Sequence, residues 1–167
     1  NKVQEAKQKW ATLKEVEKDL ELHLIGGLQS NKAKEAVKLF DYIHSVDSTK
    51  LANELSKAEE KLGLKRKYFI QVNFGKESQK SGVSQEETGN LLKFCLNEKK
   101  LNVVGLMCIP PFDQDSSSFF KNLKELSSTF GLEFTSMGMS SDYLIAAKLG
   151  STHVRIGSQI FGSRAIQ

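Results

Sequence analysis

Strand-like and helix-like hydrophobic patterns alternate along the chain, and this alternation constrains the fold more than any single motif. Short apolar runs are each followed by a stretch in which apolar residues recur every three or four positions. Alternation of this kind is typical of a parallel α/β fold, because parallel strands need a crossover that a helix supplies. The pattern predicts one leading helix and six strands, at residues 22–25, 42–46, 67–72, 101–109, 134–137 and 153–156.

Capping residues mark the start of two of the predicted helices. Ser48 precedes a stripe of leucines and alanines, and a serine in that place caps the free amides of a helix. Ser84 and Glu87 have the spacing of a capping box, in which each side chain bonds the backbone of the other. We therefore expect helices to begin directly after Ser48 and Ser84.

Six strands suit two architectures. A closed (β/α)8 barrel, also called a TIM barrel, needs eight strands, so we expect about two strand units to precede Asn1 in the intact protein. The alternative is an open doubly wound sheet, but no glycine-rich fingerprint follows an early strand. Because no linker interrupts the 167 residues, we predict that residues 1–167 form one incomplete barrel domain.

Composition excludes several classes of protein. A hydrophobic fraction of 39% and a charged fraction of 26% are typical of a globular domain, and no apolar run is long enough to cross a bilayer. Cys95 and Cys108 lack metal-site spacing and are expected to be reduced in a cytoplasmic protein. The net charge of +4 arises from interspersed charges, which argues against a nucleic-acid groove.

Two consecutive turns near the end of the sequence predict a phosphate site. Residues 136–142 and 153–162 each resemble a short strand that enters a turn rich in glycine and serine and then a helix. Such turns expose backbone N–H groups, which hold phosphate without lysines. In (β/α)8 barrels, a phosphate site commonly follows the last two strands.

Single residues of these segments have alternative interpretations. Ser140 either caps a helix or offers its hydroxyl and amide to a phosphate. Arg155 either binds an anion from inside the barrel or forms a structural ion pair. His23 and His44, on predicted strands, are more typical of hydrogen-bonded core histidines than of catalysts, and Met137 is more typical of a core. From the residues alone, the prediction ends at a phosphate-holding α/β domain.

The chain also resembles the pyridoxal-phosphate homeostasis protein family, which is similar to the barrel domain of bacterial alanine racemase. The resemblance covers the whole chain in the order of the family's motifs. Gly27 stands where the family usually has a larger residue. The matching segments are residues 23–26, 28–32, 43–48, 71–73, 80–82, 105–107, 136–140, 154–157 and 160–162.

The resemblance implies an eight-stranded barrel that holds pyridoxal 5'-phosphate (PLP) as a Schiff base on a lysine of the first strand. That strand does not occur in this sequence, so we expect the lysine upstream of Asn1 and interpret the sequence as part of a longer product. Arg155 would face the pyridine nitrogen of PLP, and the serines and glycines of the two turns would hold its phosphate. The cofactor-binding residues implied in this way are Asn1, Ser136, Met137, Gly138, Ser140, Arg155, Gly157 and Ser158.

The resemblance further implies a non-catalytic carrier that buffers PLP in the cytoplasm, a monomer that hands PLP to PLP-dependent apo-enzymes. Arginine donates to the pyridine nitrogen and leaves the ring neutral, and a neutral ring is a weak electron sink. A PLP-dependent racemase or decarboxylase with a partner domain is the alternative. A basic nucleic-acid-binding module is a third hypothesis, which would predict salt-dependent binding.

Overall fold

The structure, a computed structural model, describes residues 1–75 and 81–162. Within these ranges the chain forms a six-stranded, fully parallel sheet whose strand order follows the sequence. The strands are β1 (His23–Leu24), β2 (Tyr42–Val46), β3 (Lys67–Val72), β4 (Asn102–Cys108), β5 (Phe134–Met139) and β6 (His153–Arg155). The helices are α1 (Val3–Val16), α2 (Ala33–Leu39), α3 (Thr49–Leu62), α4 (Gln85–Lys93), α5 (Ser116–Thr129), α6 (Tyr143–Lys148) and α7 (Ser158–Phe161).

The helices lie on one face of this sheet. Right-handed crossovers between strands in sequential order keep every helix on the same side, whereas a doubly wound sheet reverses its strand order. A large apolar core unites strand and helix residues on that side. The opposite face has its own small cluster, in which Tyr42, Phe69 and Met107 come from strands alone. The fold is therefore a curled sheet of the α/β-barrel type, and the doubly wound alternative is wrong.

Local sequence signals form the predicted helix starts. The Leu51 N–H donates to Ser48 Oγ at 3.3 Å, and the Glu87 N–H donates to Ser84 Oγ at 3.2 Å. Ser84 Oγ also donates to the Glu87 carboxylate at 2.9 Å. Both serines therefore cap their helices as predicted, but the Glu87 carboxylate accepts from the Ser84 hydroxyl and not from the Ser84 backbone N–H as a full capping box requires.

Four predicted strands (β1, β4, β5 and β6) differ from the observed ones by one or two residues at an end, and one helix begins later than expected. The first strand is only His23–Leu24, and just beyond it a Cβ at Gly26 would lie 2.1 Å from the carbonyl oxygen of Asn1. The helix expected from Ser140 begins at Tyr143 instead. The Met139 N–H donates to Asp142 Oδ1 at 2.7 Å and the Asp142 N–H donates to the Met139 carbonyl at 3.0 Å, so residues 139–142 form a separate turn.

Cys95 and Cys108 are both free and buried. None of the helices in residues 1–75 and 81–162 is long and apolar enough to cross a membrane. In the same residues, no group of three potential ligands is placed to hold a metal ion.

Candidate functional site

A cavity of about 1340 Å³ opens at the carboxyl ends of the strands. The turns after β5 and β6 line this cavity, and so does the turn after β1. Ligands of parallel α/β folds bind at this end of the sheet. The lining includes five of the predicted binding residues, namely Asn1, Ser140, Arg155, Gly157 and Ser158.

The turn after β5 depends on a glycine. Gly138 has a φ of +92°, a left-handed conformation that L side chains rarely adopt. A Cβ at Gly138 would lie 2.5 Å from the Cβ of Ala146 in α6. The glycine therefore lets β5 bend close to α6, and the bend carries Ser140 to the cavity.

The turn after β6 is linked to the turn after β5. The Gly157 N–H donates to Ser140 Oγ at 3.1 Å. The Ser140 hydroxyl thus holds the two turns together and does not cap α6. In the described part of the chain, the backbone N–H groups of Ser140 and Ser158 have no hydrogen-bond acceptor.

Gly157 leaves room at this wall of the cavity. A Cβ built on it would meet no heavy atom within 4 Å. The backbone of this turn is therefore open to the cavity at Gly157. The donors there are neutral amides and hydroxyls, which hold a phosphate through hydrogen bonds.

Arg155 lies beside these turns and is held by two neutral acceptors. Its Nη1 donates to Ser136 Oγ at 2.9 Å, and its Nη2 donates to the carbonyl of Cys108 at 2.9 Å. Among the described residues, no Asp or Glu forms an ion pair with Arg155. A guanidinium has five N–H donors, so donors remain for a ligand in the cavity.

Burial is the main electrostatic influence on Arg155. It lowers the pKa of the guanidinium below the ordinary value, while the neighbouring Cys108 and Asp142 act in the opposite direction. An arginine still keeps its proton at physiological pH. A half-buried cation that faces a cavity without a carboxylate partner favours a ligand with an acceptor atom.

The three histidines of the sequence converge next to Arg155, on the face of the sheet that carries no helices. The ring centroids of His23, His44 and His153 are 5.3 to 5.9 Å apart. His44 stacks on Phe69 at 4.2 Å, and His23 stacks on Tyr42 at 4.2 Å. The two histidines are hydrogen-bonded as predicted, since His23 Nδ1 lies 3.0 Å from His44 Nε2. Only His44 is a core residue, because His23 is half-buried and lines the cavity.

Burial disfavours the charged form of these three imidazoles. Burial, with the positive charges that His23, His153 and Arg155 would add, lowers the pKa of His44 to about 2. Burial is also the main reason why the pKa values of His23 and His153 lie below their ordinary value. Arg155, and not a histidine, is therefore the cation of this cluster.

Three predicted binding residues lie away from the cavity surface. Ser136 and Met137 are fully buried. The Ser136 hydroxyl contacts Arg155 and His44 and does not reach the cavity, so a direct contact of this side chain with phosphate is corrected to a contact with the arginine. Gly138 serves the bend of β5, and Lys80 of the 80–82 motif lies outside the described residues.

Sequence reasoning missed two partners in the site. The carbonyl of Cys108 accepts from Arg155, and every residue has a carbonyl, so no sequence signal marks this one. His153 was not singled out, although it lies two residues before Arg155 on the same strand and so on the same face. That spacing is the signal that could have identified it.

Comparisons with known proteins agree with this geometry. The family model described as "Alanine racemase, N-terminal domain" matches residues 1–165. The pyridoxal phosphate homeostasis protein of Aquifex aeolicus is 39% identical over 173 residues, which cover 98% of this chain and 75% of that protein.

Two solved structures of PipY from Synechococcus elongatus PCC7942 are also similar. Each is 37% identical and covers 97% of this chain. The structure without PLP has a TM-score of 0.88 and is covered over 80% of its length. The structure with PLP bound has a TM-score of 0.85 and is covered over 79% of its length.

Proposed function

Because the chain belongs to the alanine racemase N-terminal domain family, we propose that its cavity binds PLP and that the protein serves PLP homeostasis as a non-catalytic carrier. PLP combines a phosphate, an aldehyde and a pyridine nitrogen. The homologue of Aquifex aeolicus is named for PLP homeostasis, and PipY has been solved with PLP bound. Hydrogen-bond donors suited to the phosphate and to the pyridine nitrogen line this cavity.

The two turns suit the phosphate. The N–H groups of Ser140 and Ser158 are available, and the open space beside Gly157 admits the group. The Ser140 hydroxyl, which accepts from Gly157, still has its own proton to donate. These donors bind a phosphate without a lysine.

Arg155 carries the proposal. It is a half-buried cation at the cavity wall, and both of its contacts are neutral acceptors. A pyridine nitrogen presents one lone pair, and a guanidinium N–H donates to it without giving up the proton. When bound, PLP supplies an aldehyde that condenses with amines and a ring that can accept electrons. An arginine at the nitrogen keeps that ring neutral and limits its use as an electron sink.

The proposal includes covalent attachment of PLP to a lysine outside these 167 residues, monomeric carriers, and delivery to apo-enzymes. In the described ranges, Lys2 is the one lysine that lines the cavity. Borohydride reduction of the full-length gene product with PLP, followed by peptide mass analysis, locates the lysine. A single adduct outside this sequence is expected, and an adduct on Lys2 or no specific adduct contradicts the attachment.

Substitution of Arg155 tests the placement of the cofactor. Arg155→Ala in the full-length protein should weaken PLP binding by about 10- to 100-fold, the range for loss of a hydrogen bond to a charged group. The absorption spectrum of bound PLP should shift as well. The measurement is a spectrophotometric titration, with circular dichroism to confirm that the variant is folded. An unchanged affinity and spectrum would show that Arg155 does not contact the ring.

The enzyme alternative has its own observable. A racemase changes the stereochemistry of free amino acids, and a decarboxylase releases carbon dioxide from them. A carrier loaded with PLP does neither. Chiral chromatography of L-alanine and D-alanine incubated with the loaded full-length protein distinguishes these functions, and turnover above that of free PLP would overturn the carrier proposal.

A further inference from the structure

A chain of hydrogen bonds crosses the helix-free face of the sheet and ends at Arg155. Ser136 Oγ lies 2.9 Å from Arg155 Nη1 and 2.9 Å from His44 Nδ1. His44 Nε2 lies 3.0 Å from His23 Nδ1. The chain therefore runs from β6 through β5 and β2 to β1 and joins the first and last strands of the sheet.

The direction of these bonds follows from the donors and acceptors. A guanidinium only donates, so Ser136 Oγ accepts from Arg155. Ser136 Oγ meets only Arg155 and His44 among the described residues, so its own proton is satisfied by donation to His44 Nδ1. His44 then carries its proton on Nε2 and donates to His23 Nδ1.

Packing fixes the members of this chain. Ser136 and His44 are 0% and 1% exposed, and the His44 ring stacks on Phe69 at an interplanar angle of 16°. The low pKa of His44 fits a ring that accepts at Nδ1, because an imidazolium has no acceptor nitrogen. The Ser136 oxygen is thus held with its lone pair toward the guanidinium.

We propose that Ser136 and His44 are positioning residues that orient Arg155 toward the pyridine nitrogen of the cofactor. The inference rests on the proposed function and adds residues that act through the arginine without touching PLP. An acceptor fixed from behind leaves the remaining N–H donors of Arg155 directed to the cavity. No described Asp or Glu forms an ion pair with Arg155, so no carboxylate takes up those donors.

The test compares two ligands, PLP and its deaza analogue, in which a C–H group replaces the pyridine nitrogen. Affinities are measured for the full-length protein and for Ser136→Ala and His44→Phe. Each variant should weaken PLP binding about tenfold, as expected for a misdirected charged hydrogen bond, and change binding of the analogue less than twofold. A merely structural role would weaken both ligands equally and overturn the inference.

Two further variants sharpen the result. His44→Asn keeps an oxygen near the position of Nδ1 and should restore most of the PLP affinity that His44→Phe loses. Ser45→Ala is the matched control for Ser136→Ala, because Ser45 is also buried but its hydroxyl has no hydrogen-bond partner in the described residues. It should change neither affinity.

Combination with Arg155→Ala separates this inference from the proposed function. If Ser136 acts through Arg155, adding Ser136→Ala to Arg155→Ala should cause no further loss. If Arg155→Ala weakens PLP and the analogue equally, the proposed placement of the ring is wrong. If Arg155→Ala selects between the ligands but the Ser136 and His44 variants do not, only the positioning role is wrong. Should His44→Phe fail to fold, Ser136→Ala and the double variant still decide.

Discussion

Leu106 and Met107 are neighbours on β4 and both are fully buried, but their side chains pack in different hydrophobic clusters on opposite faces of the sheet. Leu106 joins the large apolar core with the helices, whereas Met107 lies in the small strand-only cluster on the other face. The face with helices is built of apolar packing. The opposite face brings three imidazoles and a guanidinium together at the end where the cavity opens.

A buried charge on each side makes the difference clearer. Glu59 is 2% exposed on the side of the helices, and its carboxylate accepts from the Tyr68 hydroxyl, the Arg66 N–H and Lys65 Nζ at 3.0, 2.7 and 3.0 Å. Arg155, on the other side, uses two of its donors and keeps others. A charge whose bonds are completed within the protein supports the fold. One with unused donors at a cavity supports binding.

The largest expected effect is a loss of stability from a substitution in the core on the helix side of the sheet. Leu106→Ala should lower the free energy of unfolding by about 3 kcal/mol, within the range for large-to-small core substitutions. PLP affinity of the folded protein should stay within twofold, because Leu106 faces away from the cavity. Urea unfolding and a PLP titration of the full-length protein measure the two quantities.

Leu96→Ala is the matched control for this substitution. Leu96 is 39% exposed, so its truncation removes less buried surface than that of Leu106 and should cost about 1 to 1.5 kcal/mol. If Leu106→Ala lowers the free energy of PLP binding as much as it lowers the free energy of unfolding, substitutions on the helix side also act on the binding side. In that case the contrast between a stability face and a binding face is wrong.

The outcome for the sequence predictions follows the same division. Hydrophobic spacing and capping residues are local signals, and they predicted the six strands and the starts after Ser48 and Ser84. The turns and Arg155 also follow from short motifs. The hydrogen bond between His44 and Ser136 joins residues 92 positions apart, and no local pattern encodes it.

The direction of the Ser136 side chain could not be predicted from strand alternation, for a further physical reason. A regular strand alternates between its two faces, but β5 is buried over four consecutive residues and its pairing with β6 shifts between Ser136 and Met139. The left-handed Gly138 lies inside that shift. The motif therefore placed Ser136 near the phosphate, whereas the fold directs its hydroxyl to Arg155.

Lower pH should reduce the free energy of unfolding through the histidines on the helix-free face of the sheet. The pKa of His44 is about 2 in the folded protein and about 6.5 when unfolded, so the unfolded state binds the extra proton. This contribution to stability is complete above pH 6.5 and is lost as the pH falls below it, by about 1.4 kcal/mol at pH 5.5. His23 and His153, whose pKa values are also lowered, act in the same direction.

Urea unfolding of the full-length protein between pH 7.5 and pH 5.5 measures this slope. His44→Asn removes the titrating ring, so the variant should lose less stability over that interval than the natural protein does. Equal slopes in the two proteins would mean that His44 takes up its proton in the folded state. The electrostatic difference between the faces would then be smaller than the structure indicates.

The smallest expected effect concerns a hydroxyl that serves neither face. Ser45 lies on β2 next to His44, is 1% exposed, and its Oγ has no hydrogen-bond partner within the described ranges. An unpaired buried hydroxyl costs free energy, so Ser45→Ala should leave the free energy of unfolding unchanged within about 0.5 kcal/mol or raise it. Ser136→Ala removes the same group from a completed chain of hydrogen bonds and should lower PLP affinity. A loss above about 1 kcal/mol for Ser45→Ala, measured by urea unfolding, would show that this hydroxyl has an acceptor and is not a neutral control for Ser136.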